Sequence, residues 1–148
     1  MRPIYILLVE DNEGDILLTT EAFEEGKIAN KIRVVKDGKE AINFLTKASQ
    51  QADMDLPGLI LLDINLPKMN GHEVLHHLKM TDELIQIPVI MLTTSSTEKD
   101  IFNSYKNAAD FYITKPVEIT DLINAVTRIG CFRINIEKHT GLEMISND

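Results

Sequence analysis

The chain reads as an α/β protein with one doubly wound, five-stranded parallel sheet and five helices. Three observations lead there. Short apolar runs alternate with amphipathic stretches from end to end. Several of the runs are continuously apolar, as strands buried on both faces must be, and a parallel sheet covered by helices on both sides buries them so. At 148 residues with 44% apolar composition, no repeat and no low-complexity tract, the length suits one domain with a sizeable core.

The first buried strand is "IYILLV" (4–9), closed by Glu10-Asp11. Residues 13–25 follow as a helix with Ile16, Leu17 and Phe23 inward. "KIRVV" (31–35) alternates, which suits an edge strand, and "KEAINFL" (39–45) is a short helix. "TKASQQADMDLPG" (46–58) reads as a loop longer than most connections. "LILLD" (59–63) is a second buried strand that ends in an acid, and after "LPKMNG" comes a helix over 70–80. "PVIML" (88–92) is a third buried strand, followed by Thr93-Thr94-Ser95-Ser96 and a polar helix over 97–107. "DFYIT" (110–114) is the last strand and runs into Lys115-Pro116. Ile119, Leu122, Ile123, Val126 and Ile129 then make the core stripe of the final helix.

The net charge of −8 opposes binding to nucleic acid, which requires a basic footprint. The apolar run near the start is too short for a signal sequence or a membrane span, so no membrane is expected and a cytoplasmic location is. Cys131, the single cysteine, can form no internal disulfide and reads as an idle or buried thiol.

"HEVLHH" (72–77) contains H-E-x-x-H, the pattern of a zinc peptidase helix. A helical wheel places Val74, Leu75 and Leu78 on one side and His72, Glu73 and His76 on the other. The sheet takes the apolar side, the histidines face solvent, and no third ligand is evident, so the match is read as coincidence.

In an open parallel sheet, ligands gather at the carboxyl ends of the strands. Glu10 and Asp11 stand after the first strand, Asp63 after the third, Thr93 after the fourth and Lys115 after the fifth. Each alone has an ordinary explanation as a turn, cap or solvated residue. Together they place three carboxylates, a hydroxyl and an ammonium on one edge. Crowded carboxylates favour a cation. An all-oxygen site of this kind suits Mg²⁺, which leaves positions for phosphate oxygens. Charge neutralisation and positioning are most of what phosphoryl transfer needs, and Asp63 is the natural nucleophile.

At these residues the chain resembles the receiver domains of two-component response regulators, which have a CheY-like fold with strand order 2-1-3-4-5. The resemblance is carried by "ILLVEDN" (6–12), "LILLDINLPKMNG" (59–71), "PVIMLTTS" (88–95) and "ADFYITKP" (109–116), in order and at the right spacing. It implies that Asp63 accepts a phosphoryl group from a sensor histidine kinase. Glu10, Asp11 and Asp63 would hold Mg²⁺, with the main-chain carbonyl of Asn65 as a further ligand. Lys115 would contact the phosphoryl oxygens, across a bond to Pro116 that is typically cis in such domains. Thr93 matches the switch hydroxyl and Tyr112 the aromatic that follows it, so the surface of the 97–107 helix, the last strand and the last helix would report phosphorylation. Such a chain is a phosphoacceptor that catalyses only its own phosphorylation and dephosphorylation, and Asn65 and Ser95 would set the lifetime of the acyl phosphate.

Three features depart from the commonest receiver pattern: Glu10 in place of an aspartate, Ala108 where glycine is frequent, and the long 46–58 segment. The last, with the tail "GCFRINIE" (130–137), resembles the single-domain regulators that serve phytochrome-type kinases. The expected organisation is a receiver over 1–129 and a tail over 130–148, without an output domain. Output would then be contact with a downstream protein or relay to a histidine phosphotransfer protein. Phe132, Ile134 and Ile136 alternate, so the tail either frays, forms a short strand or packs on a second copy in a homodimer.

Three rival readings lack a residue that each requires. A haloacid-dehalogenase type of phosphatase would carry a second acid where Asn65 stands. A flavin or nucleotide binder would carry a glycine-rich turn in place of "EDNEGD". The zinc peptidase would need its third ligand.

Overall fold

The structure, a computed structural model, describes residues 4–94 and 109–129. Its elements are β1 (Ile6–Val9), α1 (Glu13–Glu25), β2 (Ile32–Val35), α2 (Gly38–Gln50), β3 (Leu59–Asp63), α3 (Gly71–Lys79), β4 (Val89–Thr93), β5 (Phe111–Thr114) and α4 (Ile119–Ile129). The strands form one parallel sheet in the order β2-β1-β3-β4-β5. The helix expected over 97–107, Ser95, Ala108, Cys131 and the alternating tail lie outside the described residues.

Side-chain alternation along the strands divides the core in two. Leu7, Val9, Ile60, Leu62, Val89 and Met91 face α2 and α3, meeting Ala41, Leu45, Val74, Leu75 and Leu78. Ile6, Leu8, Leu59, Leu61, Ile90 and Leu92 face the other way onto Ala22 and Phe23 of α1 and Leu122, Ala125 and Val126 of α4. Both faces of β1, β3 and β4 are therefore dry, which explains their unbroken apolar runs. β2 is an edge strand, and its partly exposed alternation matches that place.

Two expectations need correction. Leu17 points outward, 57% exposed, because Thr19, Ala22 and Phe23 set the buried face of α1 and Leu17 lies about 100° off Ile16. The segment 46–50 is not loop but the last turns of α2, because Ala48 extends the buried stripe of Ala41 and Leu45 at helical spacing. The connection to β3 is thereby shortened.

Each of the first three helices starts on a side-chain cap. Asn12 accepts from the Asp15 N–H, Asp37 from Glu40 and Asn70 from Glu73. These caps fix where the chain turns after β1, β2 and β3. At the third turn a glycine is required: a Cβ on Gly71 would sit 2.4 Å from the Asp63 carbonyl oxygen and 2.7 Å from Ile64 Cα. That close approach seats the 64–70 loop over the end of β3, with the Gly71 N–H donating to the Ile64 carbonyl at 2.9 Å.

Gly71→Ala should therefore cost about 1–3 kcal/mol of stability through overpacking against backbone. Urea unfolding checks this, and an unchanged midpoint would contradict the packing account.

Candidate functional site

The register decides which residues meet. Val9 pairs with Leu62, so Glu10 and Asp63 leave their strands side by side. Asp63 pairs with Leu92, and Thr93 pairs with Thr114, so Thr93 and Lys115 finish the same edge. The Lys115 N–H donates to the Thr93 carbonyl at 2.7 Å, and the Lys115–Pro116 bond is cis.

Glu10 is 0% exposed, and Asp63 and Thr93 are buried, whereas Asp11 is exposed. Oxygens of Glu10, Asp11 and Asp63 all lie within 4.8 Å of one another, the one such group of acidic or metal-binding side chains among the described residues. Backbone N–H groups orient two of these acids. Asn12 N–H donates to Glu10 Oε2 at 3.3 Å, and Asn65 N–H to Asp63 Oδ1 at 3.2 Å.

Lys115 reaches into this cluster. Its Nζ lies 2.8 Å from Glu10 Oε1, 2.9 Å from Asp15 Oδ2 and 3.2 Å from Asp63 Oδ1, with the side chain only 9% exposed. Burial pushes the Glu10 carboxyl up from 4.5 to about 7; the bond from Lys115 opposes that rise and neighbouring Asp63 adds to it. Burial alone would lower the Lys115 ammonium, but hydrogen bonds to Glu10 and Asp15 and the charges of Asp63 and Glu10 outweigh it, so its pKa moves upward. The pocket holds four carboxylates, Glu10, Asp11, Asp15 and Asp63, to one lysine. Its all-oxygen donors fit a hard divalent cation.

The structure gathers Glu10, Asp11, Asp63 and Lys115 into one pocket and ends β4 on Thr93 beside it. Asn65 sits two residues past Asp63, exposed, on the loop above. Tyr112 is buried on β5, paired with Met91 in the core facing α2 and α3. Sequence reasoning missed Asp15. The signal was present: Asp15 falls in the first turn of the helix that starts at the sheet's carboxyl edge, a few residues past the Glu10-Asp11 pair.

The H-E-x-x-H match is resolved by capping. Glu73 N–H donates to Asn70 Oδ1 at 3.0 Å while Glu73 Oε1 accepts from the Asn70 N–H at 2.9 Å, a reciprocal capping box. Val74, Leu75 and Leu78 are buried and His76 is exposed, as the helical wheel requires. His72, in the first turn of α3, is half-buried rather than fully solvated.

Residues 6–127 match the family model for the response regulator receiver domain. Response regulator Rcp1 of Synechocystis is 39% identical over 130 residues, spanning 88% of each chain. Its solved Mn²⁺-bound form superposes with a TM-score of 0.68, at 38% identity, covering 92% of this chain and 98% of that one. The bacteriophytochrome response regulator AtBRR gives a TM-score of 0.82 at 37% identity, covering 93% and 100%. The phosphorylated cyanobacterial phytochrome response regulator RcpA gives 0.69 at 42%, covering 88% and 93%. Strand order, an acidic pocket at the carboxyl edge and likeness over most of the length agree, and the chain belongs to the response regulator receiver domain family, phosphoacceptors that bind a divalent metal in an acidic pocket and take their phosphoryl group from histidine kinases.

Proposed function

We propose that Asp63 is the phosphoacceptor, that Mg²⁺ is the resident cation, and that a sensor histidine kinase of the phytochrome type is the donor. The observation that carries this reading is the placement of Asp63 Oδ1, 3.2 Å from Lys115 Nζ, in the same cluster as Glu10 and Asp11. The phytochrome assignment draws on the names of AtBRR and RcpA, both more than a third identical to this chain.

Glu10, Asp11, Asp63 and the Asn65 carbonyl would hold the ion, which would offset the charge of the incoming phosphoryl oxygens. The Asn65 N–H orients the Asp63 carboxylate through Oδ1. The free Asp63 oxygen attacks phosphorus, and the P–N bond of the donor phosphohistidine breaks with its electron pair passing to the imidazole. Lys115 donates to the phosphoryl oxygens as charge develops there. The Thr93 hydroxyl then bonds the acyl phosphate, and Tyr112 follows into the space that Thr93 leaves. Hydrolysis reverses the state when water attacks phosphorus in line, along a path flanked by Asn65; the bond from phosphorus to the Asp63 oxygen breaks, the carboxylate is restored and inorganic phosphate leaves.

Residues 1–129 form the receiver unit in this reading and 130–148 a tail. Output is contact with a downstream protein or relay to a histidine phosphotransfer protein, with a second copy of the chain as a further partner. A cytoplasmic setting is part of this reading; among the described residues no helix is long and apolar enough to cross a membrane. The charge of −8 argues against nucleic acid as a partner.

Acetyl phosphate with Mg²⁺ should add one phosphoryl group to the wild type and none to Asp63→Asn, read by intact-protein mass spectrometry. Equal labelling of both would place the nucleophile elsewhere.

The raised Glu10 carboxyl sets a pH dependence. The folded protein binds this proton more tightly than the unfolded chain, so its contribution to metal-free stability falls as pH rises from 4.5 to about 7. The upward shift of Lys115 contributes stability that persists through this window and is lost only at higher pH. The cation competes with the Glu10 proton. The rise in Tm on adding Mg²⁺ should therefore be larger above about 7 than below 4.5. A rise independent of pH would contradict the assignment of Glu10 to the ion.

A further inference from the structure

We infer that Asp15 is a positioning residue for Lys115, the carboxylate that keeps the ammonium in place once the ion and the phosphoryl group claim its other partners. This rests on the reading of Asp63 as phosphoacceptor and adds a residue to it.

An ammonium has three protons, and Lys115 faces three carboxylates: it donates to Asp15 Oδ2 at 2.9 Å and stands at ion-pair distance from Glu10 and Asp63. A side chain this buried needs those partners. Two of them, Glu10 and Asp63, belong to the group that would hold the ion; Asp15 does not. A divalent ion held by Glu10, Asp11 and Asp63 would compete with Lys115 for oxygens of Glu10 and Asp63 and would repel the ammonium. Asp15 is then the one carboxylate of the three whose bond to Lys115 is uncontested.

Asp15 is well placed to persist in that role. It sits in the first turn of α1, where a negative charge is favoured by the helix N-terminus. Its backbone N–H is bound by the Asn12 side chain at 2.8 Å, so the residue is anchored by the same cap that ends the β1 turn. Its side chain is 32% exposed, so holding its charge costs little desolvation. Lys115 has four rotatable bonds along its stem. The contact with Asp15 restricts their arc to the side of the pocket where Asp63 stands.

The test uses the full chain, with and without Mg²⁺. In ¹⁵N-lysine-labelled protein without a phosphodonor, the Lys115 ammonium signal should be seen by NMR in the wild type in both conditions. In Asp15→Asn it should persist without metal, held by Glu10 and Asp63, and be lost to exchange when Mg²⁺ is added. At saturating Mg²⁺, the rate of labelling by acetyl phosphate should fall about tenfold in Asp15→Asn, with Mg²⁺ affinity by calorimetry little changed, and Asp15→Glu should recover most of the rate. A Lys115 signal that survives Mg²⁺ in Asp15→Asn overturns the inference, as does an equal or faster rate, which would mean that Asp15 only sequesters the lysine. Labelling of wild type but not Asp63→Asn shows that the underlying reading stands while Asp15 is judged. If the wild type takes no label, that reading fails, and the role of Asp15 falls with it.

Discussion

The structure turns on one buried ammonium. Lys115 Nζ sits within 3.2 Å of carboxylate oxygens from the end of β1, the first turn of α1 and the end of β3. Without it, Glu10 and Asp63 would share a dry pocket as uncompensated like charges, an arrangement that proteins avoid by protonation or pairing. With it, four carboxylates still share one ammonium, and burial raises the Glu10 carboxyl. A site in that condition is receptive to a cation, and a cation-loaded site is receptive to phosphate. In the proposed reading, binding and chemistry follow from this gathering of carboxylates around one lysine, which the fold holds in place.

The fold holds it through register and dry packing. β1, β3 and β4 are buried on both faces, so a slip of one residue would drive apolar side chains to the wrong layer. The same constraint fixes Glu10 beside Asp63 and sets Lys115 one residue beyond the Thr93–Thr114 pair. Gly71 then allows the 64–70 loop to fold back onto Asp63, and Asn12 starts α1 at the point that brings Asp15 to the lysine. The sequence spends glycine and asparagine where the backbone must turn at the pocket rim.

The architecture was readable because the strands are apolar throughout and end in chemically distinct residues. "ILLVED", "LILLD" and "PVIMLT" each state both a buried strand and what stands at its carboxyl end. Phase within helices was harder. Leu17 and Leu18 look like core residues in composition, yet both are exposed, since which face of α1 is buried depends on tertiary contacts at Ala22 and Phe23. The end of α2 is hard to place because "TKASQQ" is polar enough for a loop, and only Ala48 keeps the stripe going. Asp15 was overlooked for a related reason: in a linear reading it is one more acid in a helix's first turn, and its meaning comes from a lysine 100 residues away. The H-E-x-x-H pattern shows the opposite error, a local motif whose glutamate is occupied in capping its own helix.

The most direct test of this account is the unfolding free energy of Lys115→Ala in metal-free buffer at neutral pH. Removing the ammonium leaves buried carboxylates without a partner, so the variant should be less stable than wild type by about 3–5 kcal/mol, and saturating Mg²⁺ should recover much of the deficit. A variant as stable as wild type without metal would contradict the claim that this ion pair cluster organises the pocket.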